Sequence, residues 1–243
     1  MIKQKRSMKE RNLVSLVKKL ELIKKKQFVK SLRKNSTGIG YTLETLLGIK
    51  ENRISDSDWG DIEIKTMRES SNSDISLFVI NPYYFNISND SDFIEKYGYP
   101  NFNDPEILSF VQTIKFNNRN KRGWQLNLDN EDEKLLIINF DEYVGEIPFF
   151  SIRQKLKLKM QKLVSVSAKV KKVEEIEYFN YNNAFYHENC RFDNFLDAIR
   201  VGSISLNPRM RKLPNGKVTK NGTAFRIKRN EFNAIFNKNI RLF

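Results

Sequence analysis

Apolar residues recur three and four apart at Leu13, Leu16, Val17, Leu20 and Ile23, which predicts an amphipathic helix over Lys9 to Lys34 with lysines on its outer face. Asn35-Ser36-Thr37-Gly38 interrupts that pattern, and a second helix is expected at Thr42 to Leu47, approached through Gly38 and Gly40. Ile62 to Lys65 and Ile75 to Ile80 read as strands. The second is almost wholly apolar, which predicts a central place in a sheet and one core shared by both. Residues 81–123 are rich in Asn, Asp, Tyr and Phe, carry Pro82, Pro100 and Pro105, and read as a long excursion with one short helix near Glu106 to Thr113. Trp124 to Leu128 and Leu135 to Phe140 flank the acidic turn Asp129 to Glu133 as a hairpin. A helix follows at about 152–163, then strands at 163–170 and 177–181, a helix near 193–201, strands at 203–207 and 222–229, and a last short helix. The mixture is α/β with antiparallel hairpins, without an internal repeat or a linker long enough to mark off independent domains.

Composition narrows this picture. With 40% hydrophobic and 12% aromatic residues the 243-residue chain has the means to bury a sizeable interior, unlike a disordered basic tail. No apolar run approaches the roughly 18 residues of a membrane span. The opening MIKQKRSMKERN has no apolar stretch to serve as a signal-peptide core, so a soluble, cytoplasmic protein is expected. A single cysteine, Cys190, excludes an internal disulfide, and a single histidine, His187, excludes the usual four-ligand His/Cys zinc site. Any metal is therefore expected on carboxylates.

The charge is uneven as well as large. The chain carries 43 Lys and Arg against 29 Asp and Glu, a formal net charge of +14. Residues 1–34 hold 13 of the basic residues against Glu10 and Glu21, and Arg153–Lys172 and Arg209–Arg229 each hold eight with no acid. Much of the acid lies between Glu44 and Glu146. Basic surfaces around a carboxylate-rich segment suit a polyanion that is both held and cut with a metal. Solvated helix faces on a lysine-rich protein are the plainer reading, and charge alone does not separate the two.

The segment that separates them runs from Gly38-Ile39-Gly40-Tyr41-Thr42-Leu43-Glu44 to Asp58-Trp59-Gly60-Asp61-Ile62-Glu63-Ile64-Lys65. Glu63 and Lys65 stand two apart on a predicted strand and leave the same face. Asp58 lies just ahead of it, where a turn held by Trp59 can bring the two carboxylates together. With the Ile64 backbone carbonyl they form a hard-oxygen site suited to Mg²⁺, and Lys65 lies beside the attacking water or the charge that builds on a phosphate. Asp61 shares the strand face with Glu63 and Lys65 and is a rival ligand on geometry alone.

The Gly38–Leu47 block, the Asp58–Lys65 strand and Gly222-Thr223-Ala224-Phe225-Arg226-Ile227 resemble the MvaI/BcnI type of restriction endonuclease, a group similar in fold to the MutH mismatch-repair nicking endonuclease. The resemblance extends over most of the chain and is weakest between about 81 and 123. It implies a restriction-endonuclease-like mixed sheet flanked by helices, with two lobes around a DNA cleft. Residues 1–175 would be mainly the catalytic lobe and 176–243 mainly the recognition lobe. It further implies a monomer needing no partner protein, which cuts double-stranded DNA with Mg²⁺ by successive nicks at a short CC-N-GG-like site. Glu44, Asp58, Glu63 and Lys65 fall on the catalytic quartet, and the family spacing favours Asp58 over Asp61. Where that family often carries histidines and an acidic-x-basic pair, this chain reads Asn207-Pro208-Arg209.

Asn207, Arg209, Arg211, Lys220 and Arg226 are accordingly the candidate DNA-binding residues. They are phosphate contacts on one reading and, for Arg209 and Arg226 on the resemblance, readers of guanine edges. His187 is expected as a surface or DNA-backbone residue, Cys190 as a small buried one, and the aromatics of 83–85 and 97–102 chiefly as packing. Two rivals stand beside the restriction enzyme: a MutH-like repair nickase, and a basic DNA-binding protein without catalysis.

Overall fold

The computed structural model describes residues 12–50, 57–85 and 87–243. Along the chain these form α1 (Leu13–Lys25), β1 (Phe28–Lys30), α2 (Gly38–Leu47), β2 (Glu63–Arg68), β3 (Ile75–Ile80), β4 (Tyr83–Tyr84), α3 (Asp90–Tyr97), β5 (Tyr99–Pro100), β6 (Leu108–Val111), β7 (Trp124–Asp129), β8 (Lys134–Asn139) and β9 (Glu142–Pro148). There follow α4 (Phe149–Lys159), β10 (Lys162–Val173), β11 (Ile176–Cys190), α5 (Phe192–Arg200), β12 (Ile204–Lys212), β13 (Val218–Ile227), a 3₁₀ turn (Arg229–Ile235) and β14 (Phe236–Arg241). The chain groups into two compact units, each discontinuous in sequence.

The first unit comprises residues up to Ser73, Leu156–Arg191 and Asn233–Phe243. Its sheet runs β1-β11-β10-β2, with β14 also on β11, and β2 is the edge strand, parallel to β10. One face carries α1 and α2, whose Leu16, Leu20, Leu43 and Leu47 pack on Ile64, Val164 and Val166. Asn12 caps α1 by accepting from the Ser15 N–H, and Lys19 reaches the Leu47 carbonyl at the end of α2, so the two helices are tied at their termini. Gly38 opens α2 where an added Cβ would lie 2.4 Å from the Arg33 carbonyl, a separation only glycine permits.

The second unit comprises Asp74–Lys155 and Phe192–Phe232. It holds an antiparallel sheet β3-β13-β12-β6-β5 and a second one, β4-β9-β8-β7. Phe93, Tyr97, Phe110 and Trp124 form one aromatic cluster, with ring centroids 4.8–6.4 Å apart, and Phe78, Phe195 and Phe225 form another.

Several expectations are corrected. The first helix stops at Lys25, because Gln27 adopts a left-handed φ of 56° and Phe28–Lys30 pair with β11; Lys9 lies outside the described residues. β2 and β3 belong to different sheets, and β3 is an edge strand whose Val79 is exposed, not a central one. The excursion at 81–123 places its helix at Asp90–Tyr97, with Asn89 as cap, and turns 108–111 into a strand paired with β12. A lobe boundary at 175 would cut the β10–β11 hairpin at its turn, inside a single sheet.

Candidate active site

Trp59 and Ile62 exchange backbone hydrogen bonds of 2.9 and 3.0 Å around Gly60, making the tight turn that leads into β2. Trp59 is buried and donates its indole N–H to the Asn12 carbonyl, which fixes the turn against α1. Asp58, just before the turn, accepts the Ile64 N–H on Oδ2 at 2.8 Å. Along an extended strand the N–H and C=O of one residue leave on the same edge, so the Ile64 carbonyl faces the edge of β2 that Asp58 occupies.

Glu63 and Lys65 share the face of β2 opposite α2, and Lys65 Nζ lies 3.6 Å from Glu63 Oε1. The other oxygen, Oε2, receives Lys159 Nζ at 3.0 Å from the last residue of α4, a partner that sequence reasoning missed. Its only trace in the sequence was membership of the basic run Arg153–Lys172. Glu63 and both lysine side chains are largely buried. Ser57 donates to the Leu158 carbonyl at 3.3 Å, fastening the Asp58 segment to the end of α4. Burial raises the pKa of Asp58 and the Glu63 charge adds to this, while the Ile64 N–H, Lys159 and Lys65 pull the other way. The cluster thus holds two carboxylates and two ammonium groups.

Asp61 points elsewhere. It is exposed and pairs with Lys162 at 2.6 Å, because the turn at Gly60 sends it outward. Glu44 stands on α2, across the sheet from the Glu63 face, where its charge is felt by the buried Tyr181 phenol. The structure therefore assembles Asp58, Glu63, Lys65 and the Ile64 peptide. Among the described residues no group of three His, Cys, Asp or Glu side chains is arranged to hold a metal. The two carboxylates with a backbone carbonyl nevertheless match a cation that takes hard oxygen and keeps several waters.

In the second unit, Asn207, Arg209 and Arg211 alternate with Leu206, Pro208 and Met210 along β12 and so share one face, on which the two arginines are exposed and Asn207, expected as a DNA contact, is buried. Arg226 joins them, since it lies directly opposite Ser205, to whose Oγ the Asn207 amide donates at 2.9 Å. Arg226 donates to the Asp74 carbonyl at 2.6 Å, and its Nε is buried without a hydrogen-bond partner. Burial lowers its pKa, and the Arg209 charge lowers it further. Gly222, at φ 78°, opposes Arg209 across a bulge, where a side chain would strike Val79. The bulge turns Lys220 to the other face, opposite the buried Met210, where it pairs with Asp90. Lys220 is thus set apart from the other four.

His187 is fully buried, contrary to the expectation of a surface residue. Its Nδ1 lies 2.7 Å from Asn239 Oδ1 and its Nε2 2.7 Å from Ser165 Oγ, a chain that links β14, β11 and β10. Asn239 donates its amide to the Asn233 carbonyl, so its oxygen faces Nδ1–H and the Ser165 hydroxyl donates to Nε2. Cys190 is buried, which pushes its thiol pKa up to about 12.

The model of the MvaI/BcnI restriction endonuclease family matches residues 17–236 of the chain. Among solved structures the chain is similar to one described as a complex of the restriction endonuclease MvaI with its cognate DNA substrate. The identity is 23%, the TM-score 0.82, and the match covers 94% of this chain and 97% of that one. It is also similar to MvaI in the absence of DNA, at 23% identity and a TM-score of 0.56, over 95% and 97% of the two chains. These likenesses carry the mixed α/β fold. No curated protein sequence is significantly similar to this chain.

Proposed function

The chain belongs to the MvaI/BcnI restriction endonuclease family, and from that premise we propose that it is a Mg²⁺-dependent type II enzyme cutting double-stranded DNA at a short, CC-N-GG-like sequence. It acts as a monomer, by successive nicks and without a partner protein. The observation that carries this reading is the cluster at the edge of β2, where Asp58, Glu63 and Lys65 converge. The first unit takes the catalytic role and the second the reading role, in place of a division at residue 175.

Asp58, Glu63 and the Ile64 carbonyl would hold the cation. When bound, Mg²⁺ supplies Lewis-acid stabilisation of the phosphate and an acidified water. Lys65, fixed by the strand, orients the attacking water and offsets charge building on the phosphoryl oxygens. No histidine is needed, and His187 is sealed in the core. Glu44, on α2, is the fourth member of the catalytic quartet in this reading. Lys30, Arg33 and Lys34 line a concave surface of the first unit suited to backbone phosphates, beside Arg68 and Lys172, which are paired with Glu177 and Glu175. Arg209 and Arg226, on the same face, present donors for base edges, while Arg211 contributes a phosphate contact.

The test is incubation of supercoiled plasmids with the purified protein and Mg²⁺. Linear product from plasmids carrying the site, without any added protein, is expected. Persistent open circles requiring an activator would favour a MutH-like nickase, and unchanged plasmid bound equally well with and without Mg²⁺ would favour a non-catalytic binder.

A further inference from the structure

The cluster on β2 is already neutral before any divalent cation arrives. Asp58 and Glu63 supply two negative charges, and Lys65 and Lys159 supply two positive ones within the same small, largely buried volume. Adding a cation of charge two to such a site leaves two uncompensated positive charges in a medium where each is costly. One ammonium must then give up its carboxylate. Lys65 is the worse candidate, since it stands on the strand two residues from Glu63 and is the more distant of the two, at 3.6 Å. Lys159 holds Glu63 Oε2 directly, at 3.0 Å, from the terminal residue of a helix. Its stem of four methylenes allows the head group to swing away without moving the backbone.

Resting on the metal centre proposed above, we infer that Lys159 is an exchangeable counter-ion: it occupies the Glu63 carboxylate in the metal-free protein and yields that oxygen to the divalent cation. Lys159 is in this sense a positioning residue that acts through Glu63. The consequence is coupling between cation and nucleic acid. A DNA phosphate offers the displaced ammonium another anionic partner, so cation and DNA favour each other's binding, reciprocally. Without DNA the site stays closed on itself and binds the cation weakly. Hydrolytic capacity is thus favoured in the DNA-bound protein through the exchange of Lys159 on Glu63.

The test is calorimetric titration of Ca²⁺ into the whole protein, with and without a duplex, for the wild type, Lys159→Met, Lys159→Gln, Lys159→Arg and Glu63→Gln. Both neutral variants should bind Ca²⁺ at least about tenfold more tightly than wild type in the absence of DNA, a small part of the Coulomb effect of a unit charge at this distance. The gain that DNA confers on Ca²⁺ affinity should shrink in both. Lys159→Arg keeps a cation on Glu63 and should resemble wild type. Lys159→Gln retains a hydrogen-bond donor toward Glu63, so it reports even where Lys159→Met fails to fold. Unchanged or weaker Ca²⁺ affinity in the neutral variants, with binding still abolished by Glu63→Gln, would overturn the counter-ion role and leave the metal centre standing. Absence of Ca²⁺ binding in every variant, with or without DNA, would overturn the metal centre and the counter-ion together.

Discussion

Asp58 and Asp61 lie three residues apart on either side of one turn, and substituting each by asparagine separates the proposed chemistry from mere acidity. Asp58→Asn keeps an oxygen to accept the Ile64 N–H, now 2.8 Å from Oδ2, so the turn persists. What is lost is a negative charge at the cation site, and cleavage should fall on the order of a hundredfold or more. Stability should not fall with it. Burial and the Glu63 charge hold the Asp58 carboxyl above its usual range, so the folded state retains this proton to higher pH than the unfolded chain does. Stability from this group is lost as pH rises through that window, and removing the charge leaves the metal-free unfolding midpoint at neutral pH equal or higher. Asp61→Asn breaks only the exposed 2.6 Å pair with Lys162. Such a pair contributes roughly 0.2–1 kcal/mol. That amounts to a shift of no more than about 4 °C in a protein of this size. Its cleavage rate should stay near wild type. Initial rates on a plasmid, read beside thermal melts of both variants, give the comparison. An inactive Asp61→Asn with an active Asp58→Asn would refute the placement of the site.

Three further outcomes are expected. Arg209→Ala and Arg226→Ala should each lose about 1–3 kcal/mol of discrimination for the true site while the salt slope of non-specific binding barely changes; equal losses on all duplexes would make them backbone contacts. Lys220→Ala, which breaks the pair with Asp90 on the opposite face, should leave site preference intact in the same binding assay, and a relaxed preference would contradict its placement. Burial lowers the pKa of His187, opposed by its bond to Asn239, so below its ordinary value the unfolded chain takes up a proton that the folded state refuses, and stability falls as pH drops through about 6.5. His187→Gln should flatten the change in unfolding midpoint between about pH 7.5 and 5.5, and identical pH slopes would count against that burial.

The arrangement of side chains on β2 was legible because it is local. A two-residue spacing places Glu63 and Lys65 on one face whatever the rest of the chain does, and a turn at Trp59-Gly60 is short enough to read from composition. The hairpin of β7 and β8 was legible for the same reason, its acidic turn lying between two alternating runs. Lys159 was not, because it meets Glu63 across 96 residues and resembles every other lysine of its basic run. Nor was the strand at Leu108–Val111, whose partner β12 lies about a hundred residues further on. His187 was misjudged since a buried histidine is recognised by its partners, Ser165 and Asn239, and both are distant in sequence. The bulge at Gly222 separated Lys220 from Arg226, where strict alternation along a strand would have kept them on one face.

The central claim is sequence-specific hydrolysis of duplex DNA by the β2 cluster. It is tested most directly by sequencing the ends released from a randomised duplex library incubated with the purified protein, in parallel with Mg²⁺, with chelator, and with the Glu63→Gln variant. Ends should converge on one short guanine-rich motif, cut on both strands, in the Mg²⁺ sample of the wild type alone. Ends without a shared motif, or the same ends from Glu63→Gln or under chelator, would contradict it.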